Sequence, residues 1–96
     1  MQNIITSEKL SKYFSVTKEA LHKVKDHFDK TRVEQAEDFY DMASRYCQDA
    51  KFFAEKGDLV TAFAALNYAH GWLDAGARIG LFQVKDSKLF TVDSQG

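Results

Sequence analysis

Apolar positions recur at three- and four-residue steps along three stretches of the chain, and each stretch reads as one amphipathic α-helix. The first runs from about Ser7 to Phe28, with Thr6 or Ser7 as its N-cap and Leu10, Tyr13, Phe14, Thr17, Ala20, Leu21, Val24 and Phe28 as its buried stripe. The second, from about Val33 to Lys56, places Ala36, Ala43 and Ala50 seven residues apart and interleaves them with Phe39/Tyr40, Tyr46/Cys47 and Phe53/Ala54. Gly57 suits the position just past a helix end, and Asp58 can cap a third helix from about Leu59 to Gly80. Its core stripe is Leu59, Phe63, Leu66, Leu73 and Ala77. The Gly57-Asp58 link is short enough to force an antiparallel hairpin, whereas His27 to Arg32 is a polar connection without a strong cap. Proline is absent, so nothing interrupts these helices. The expectation is an all-α, three-helix up-and-down bundle over residues 1–82.

The pattern changes after Gly80. Leu81-Phe82-Gln83-Val84 and Leu89-Phe90-Thr91-Val92 are two short β-prone runs around a polar turn, either a hairpin or an extended tail over residues 83–96. An isolated hairpin is marginal in water, so these runs need packing beneath them. The last four residues are polar and small, the composition of a disordered end.

With 45% hydrophobic residues the 96-residue chain can build one core and little more. A net charge of −1 is too weak a field to attract nucleic acid or anionic lipid by electrostatics alone. One cysteine, Cys47, permits no internal disulfide, and no basic amino-terminus leads into a long apolar run, so the expected setting is the cytoplasm with no membrane association. Charge is unevenly distributed. Residues 8–32 carry seven basic and four acidic side chains, a balance of +3, and residues 33–58 carry three and seven, a balance of −4. The first two helices are thus expected to complement each other, within the modest worth of exposed charge pairs. The third is nearly uncharged: from Leu59 to Phe82 only Asp74 and Arg78 are formally charged, too few for a helix with much of its circumference in water. Something is expected to cover it.

Helical spacing gives that third helix a polar line of Asn67, His70, Gly71, Asp74 and Arg78, and an aromatic face of Tyr68, Trp72, Ala75 and Ile79. His70 and Asp74 are i,i+4, the spacing that shares a metal ion or orients an imidazole, but they make half a site. Asp49, Cys47, His22 and His27, the remaining ligand types, show no ligand spacing, so neither a metal nor a cofactor is expected. A His70-Asp74-Arg78 network that fixes helix register accounts for the line without a ligand. Recognition of an anion, with Arg78 forked onto phosphate or carboxylate and Asn67 and His70 donating, is the other reading. Cys47 lies in an apolar stripe and reads as a small buried hydrophobe, not a nucleophile. Gly71, Gly76 and Gly80 read as helical close-packing positions, each costing about 1 kcal/mol relative to alanine and so implying an approaching chain or side chain. Trp72 and Tyr68 fit equally well as packing aromatics under the tail or as an exposed patch.

The run Ala65-Leu66-Asn67-Tyr68-Ala69-His70-Gly71-Trp72-Leu73-Asp74-Ala75-Gly76-Ala77-Arg78-Ile79-Gly80-Leu81-Phe82, after Ala54-Glu55-Lys56-Gly57-Asp58, resembles the core signature of the DUF357 family. The likeness extends over most of the chain, least over the tail. It implies a small cytoplasmic three-helix bundle of archaea and no particular activity. The hairpin from Lys51 to Ala69 is similar to one tetratricopeptide-type unit, but a single unit cannot stack into a solenoid. The chain also looks loosely like helical partners of nucleotidyltransferases; those with ribonuclease activity place a histidine shortly after an arginine, and none follows Arg78. The expected function is a non-enzymatic protein-interaction or homo-oligomerising module acting through Tyr68, Trp72, Ala75 and Ile79. The alternative is a small-molecule or nucleotide-binding domain using Asn67, His70, Asp74 and Arg78, which requires that line to open onto a cleft. An RNA-associated role would need Lys9, Lys12, Lys18, Lys23 and Lys25 on one face, and they are spread around the helix.

Overall fold

The computed structural model describes residues 5–85 and contains three helices: α1 (Ser7–Val24), α2 (Val33–Glu55) and α3 (Leu59–Arg78). They pack as a three-helix bundle. Thr6 caps α1, its hydroxyl accepting from the Lys9 amide at 3.1 Å, and the Asp58 carboxylate caps α3 by accepting from the Thr61 amide at 3.0 Å. Gly57 turns the chain between α2 and α3 at φ 83°, a left-handed conformation that favours glycine. Both junctions follow the sequence expectation.

Two buried clusters stack along the bundle. Leu10, Cys47, Ala50, Ala62, Ala65, Leu66 and Ala69 fill the end where α1 begins, α2 finishes and α3 starts. Ala20, Val24, Ala36, Ala43, Leu73 and Ala77 fill the other, with Leu81, Phe82 and Val84. The up-down-up order follows from that membership. The alanines at 36, 43 and 50 are fully buried, as their seven-residue spacing predicts, and face an equally small row on α3. Tyr13 departs from its predicted place in the core: it is 40% exposed and lies edge-on to Phe63. The expected charge-matched pairing of α1 with α2 is not what organises the bundle. α1 touches α2 least, and α3, the helix poorest in charge, packs against both. Burial selects the uncharged helix for the position with two neighbours.

At the end of the bundle holding Val24 and Leu73 the chain leaves the helical pattern of its sequence. α1 stops at Val24, and Phe28 instead forms a single antiparallel bridge with Phe82. The Asp29 amide donates to the Leu81 carbonyl at 2.8 Å and the Gln83 amide to the His27 carbonyl at 2.7 Å. α3 stops at Arg78, so Gly80 is not a helical packing position; at φ 80° it reverses the chain after the helix. The reversal drops Phe82, 1% exposed, onto Gly76, where a Cβ would fall well inside van der Waals contact with the ring. Gly76 is thus the close-packing glycine of the three. Residues 83–85 carry no regular structure, the Val84 amide donating back to the Phe82 carbonyl at 2.9 Å with Val84 still buried, while the second β-prone run, Leu89-Phe90-Thr91-Val92, lies outside the described residues.

The polar connection before α2 also carries structure that its sequence did not advertise. The Asp29 carboxylate accepts from the Thr31 amide at 2.9 Å, the Thr31 hydroxyl at 2.7 Å and Arg32 Nε at 2.8 Å. Arg32 Nη2 then donates to the Ile79 carbonyl at 3.0 Å, tying the connection to the end of α3. The Thr31 and Arg32 hydrogen bonds hold the Asp29 carboxyl at about 2, below its ordinary 3.8. Among the described residues no helix is long and apolar enough to cross a membrane.

Gly71 faces open space whereas Gly76 is roofed by Phe82. Gly71→Ala should therefore raise unfolding stability by about 0.5–1 kcal/mol. Gly76→Ala should lower it by about 1–3 kcal/mol through overpacking, both read from urea unfolding. The depressed Asp29 pKa makes its contribution complete above pH 3.8 and lost as pH falls toward about 2. Asp29→Asn should therefore flatten the decline of the urea midpoint across that window, and an equally steep decline in the variant would assign the acid loss to other carboxylates.

Candidate functional site

Two aromatic pairs lie across the α2–α3 seam. Phe39 meets Trp72 edge-on with ring centroids 5.0 Å apart, and Tyr46 stacks on Tyr68 at 5.3 Å and 24°. Tyr68 and Trp72 are one turn apart on α3, Phe39 and Tyr46 two turns apart on α2, and the helices run in opposite directions, so both pairs fall on one edge of the seam. The alanine rows bring the helices too close for rings between them.

Beside these pairs lies a groove of ≈ 360 Å³ lined by Phe39, Asn67, Tyr68, Gly71, Trp72 and Ala75. Asn67 is the one amide in this lining, beside the Tyr68 phenol and the Trp72 indole N–H. Gly71 was expected to meet an approaching chain or side chain; among the described residues no side chain does so, and nothing stands within 4 Å of where a Cβ would be. The cost of about 1 kcal/mol for a mid-helix glycine is therefore not repaid by packing within the described chain. Tyr68 is 62% exposed and Ile79 54%, Ala75 is exposed, and Trp72 is half-buried, edge-on to Phe39 of α2 and packed against the cluster that holds Leu73, Phe82 and Val84. Phe39 and Tyr46 belong to the α2 stripe in sequence; that Phe39 walls the groove and Tyr46 backs Tyr68 is legible only when α2 and α3 are aligned antiparallel.

The polar line is split by the same helix geometry. Asn67 and Arg78 are exposed, while His70 and Asp74 are half-buried on the side of α3 nearer α1, with Nε2 and Oδ1 3.5 Å apart. That separation is long for a hydrogen bond and suits an ion pair when the imidazole is charged. Of the four residues only Asn67 lines the groove. Among the described residues no three His, Cys, Asp or Glu side chains gather as a metal would require. The His27 ring is engaged locally, Nδ1–H donating to the Lys23 carbonyl at 2.8 Å. Cys47 is buried, and burial pushes its thiol pKa up against a smaller opposing pull from the Lys18 charge, which keeps it protonated.

A second groove of ≈ 420 Å³ opens where the first half of α1 stands away from the end of α2. Leu10, Phe14 and Leu59 floor it, and Lys18, Lys51 and Glu55 rim it with both signs of charge. That mixture is the ordinary composition of a solvated helix junction and selects no ligand. The α2–α3 groove, with its aromatic walls and open glycine, is the more distinctive surface.

No curated protein and no solved structure matches the chain. Residues 12–82 match a family described as "Protein of unknown function (DUF357)". The match runs from α1 through the seam alanines, the groove and the reversal that seats Phe82, the same region that carries the sequence resemblance. With most of its length matched, this chain belongs to the DUF357 family.

Proposed function

We propose that the chain is a non-enzymatic protein-interaction module that docks an uncharged helical surface through the outer face of α3. The observation that carries this reading is the open groove at Gly71, walled by Phe39, Tyr68 and Trp72 and continued by exposed Ile79. An apolar face of this kind is stabilised by covering, and a glycine floor admits a partner's backbone or side chain at short range. The polar contribution of Asn67 fixes orientation more than affinity. The groove lining carries no carboxylate, histidine or thiol, and its Tyr68 phenol stands without a neighbouring base in that lining, which favours binding over catalysis. The cytoplasm of an archaeon is the setting that the family resemblance implies.

Affinity capture from a native lysate tests the reading, with the tagged wild-type chain beside Ala75→Glu and a bundle-stability control by thermal melting. Ala75 is exposed, so the variant is expected to fold with stability within about 0.5 kcal/mol of the wild type. The wild type should retain a protein ligand, its own untagged chain included, that the variant loses. Retention indifferent to Ala75→Glu would overturn the proposal.

A further inference from the structure

The described chain ends on the α1 flank of α3. Past Gly80 it doubles back along the helix, the Phe82 amide donating to the Gly76 carbonyl at 3.2 Å. Leu81 and Gln83 then pair with Asp29 and His27 in turn, which brings the chain to the end of α1. Val84 is buried in one cluster with Ala20, Val24 and Ala77. A cavity of ≈ 420 Å³ lined by Ala77, Gly80 and residues 82–85 opens at this exit.

Phe63, His70 and Ala77 stand seven residues apart and form one row along α3. The row faces α1: Tyr13 lies edge-on to Phe63 at 4.8 Å, and Lys9 reaches over the same ring at 6.0 Å. Tyr13, Val16 and Ala20 line the α1 side of this seam. Burial falls along it, from Ala20 and Ala77 through half-buried Val16 and His70 to Tyr13, which is 40% exposed. α1 is also the helix with the least contact to the other two. A largely apolar, incompletely covered seam thus begins where Val84 is seated.

Residues 86–96 lie outside the described residues, and their sequence fits the seam in length and in order. Four extended residues reach about 13 Å from Lys85 to Leu89, and seven reach about 23 Å to Val92. At 1.5 Å of rise per residue, His70 is about 10 Å from Ala77 along α3 and Phe63 about 21 Å. Asp86-Ser87-Lys88 thus matches the level of half-buried Asp74 and His70, and Leu89-Phe90-Thr91-Val92 that of Val16, Tyr13 and Phe63. We infer that Leu89-Phe90-Thr91-Val92 lies along the α1–α3 seam as a strap that holds α1 against α3. The α2–α3 groove is on the opposite flank of α3 and stays open, so the strap is independent of the docking reading above.

Disulfide trapping in the full-length chain tests the placement, with Cys47→Ala removing the native thiol. Ala75 stands near the level of Ala77 but is exposed on the other flank, and so serves as the comparison site. Val16→Cys with Phe90→Cys should close an intramolecular bond under mild oxidation at least about tenfold faster than Ala75→Cys with Phe90→Cys. Comparable rates would mean a tail without a preferred seat and would overturn the strap. Faster closure at Ala75 would overturn it by seating the tail over the Gly71 groove. In the native-cysteine background, Leu89→Ser with Phe90→Ser should speed amide hydrogen exchange across α1 about tenfold, with the centre of the α2–α3 hairpin within about twofold of wild type. Unchanged exchange in α1 would overturn the holding role.

Discussion

Two rows of alanine set the distance between α2 and α3, and most of the molecule's surface follows from that distance. Ala36, Ala43 and Ala50 on one helix and Ala62, Ala65, Ala69 and Ala77 on the other are all buried. A seam of small residues lets dispersion contacts run along both backbones, but it leaves no room for rings. The aromatics of both helices are therefore displaced to the margin, where Phe39 meets Trp72 and Tyr46 meets Tyr68. The groove is a by-product of this displacement: its walls are the rings that the seam excludes, and its floor opens where Gly71 adds nothing.

The same constraint orders the charges. The helix with the fewest charged side chains takes the position with two helical neighbours, since a charge lost from water there would need a partner. Its basic and acidic neighbours are then separated onto opposite flanks and meet each other little. A near-neutral chain becomes a polarised body with an uncharged ridge between its halves. Net charge, the quantity that composition reports most directly, conceals that arrangement completely.

Helix number, order, caps and most of the core were legible in the sequence because each rests on local signals: period, Thr6 and Asp58 before apolar runs, Gly57 after one. What escaped was non-local. Nothing within α1 marks Phe28 as leaving the helix; its partner Phe82 lies in another segment, and the hydrogen bonds that hold it extended come from residues 81 and 83. Gly80 looked helical because period alone cannot separate the last turn from the reversal that follows it. Asp29 and Thr31 form a short turn typical of their residue types, a signal present in the sequence and outweighed by the absence of a conventional cap. For the candidate site, the aromatic face of α3 was legible, while its division from the polar line depends on where α1 packs. His70 and Asp74 turn toward that helix and Asn67 toward the groove, a split that a helical wheel without neighbours cannot make.

The seating of Phe82 has a consequence for the order in which the molecule assembles. α2 and α3 are joined by three residues, so the contacts near Gly57 close a small loop and form early. The opposite end waits for a segment distant in sequence: the Arg32 to Ile79 hydrogen bond alone spans 47 residues. Until Phe82 is seated, Gly76 and the buried alanines near it lack their aromatic cover. The far end of the bundle is thus completed by a ring from outside its helices, six residues beyond the glycine that it covers.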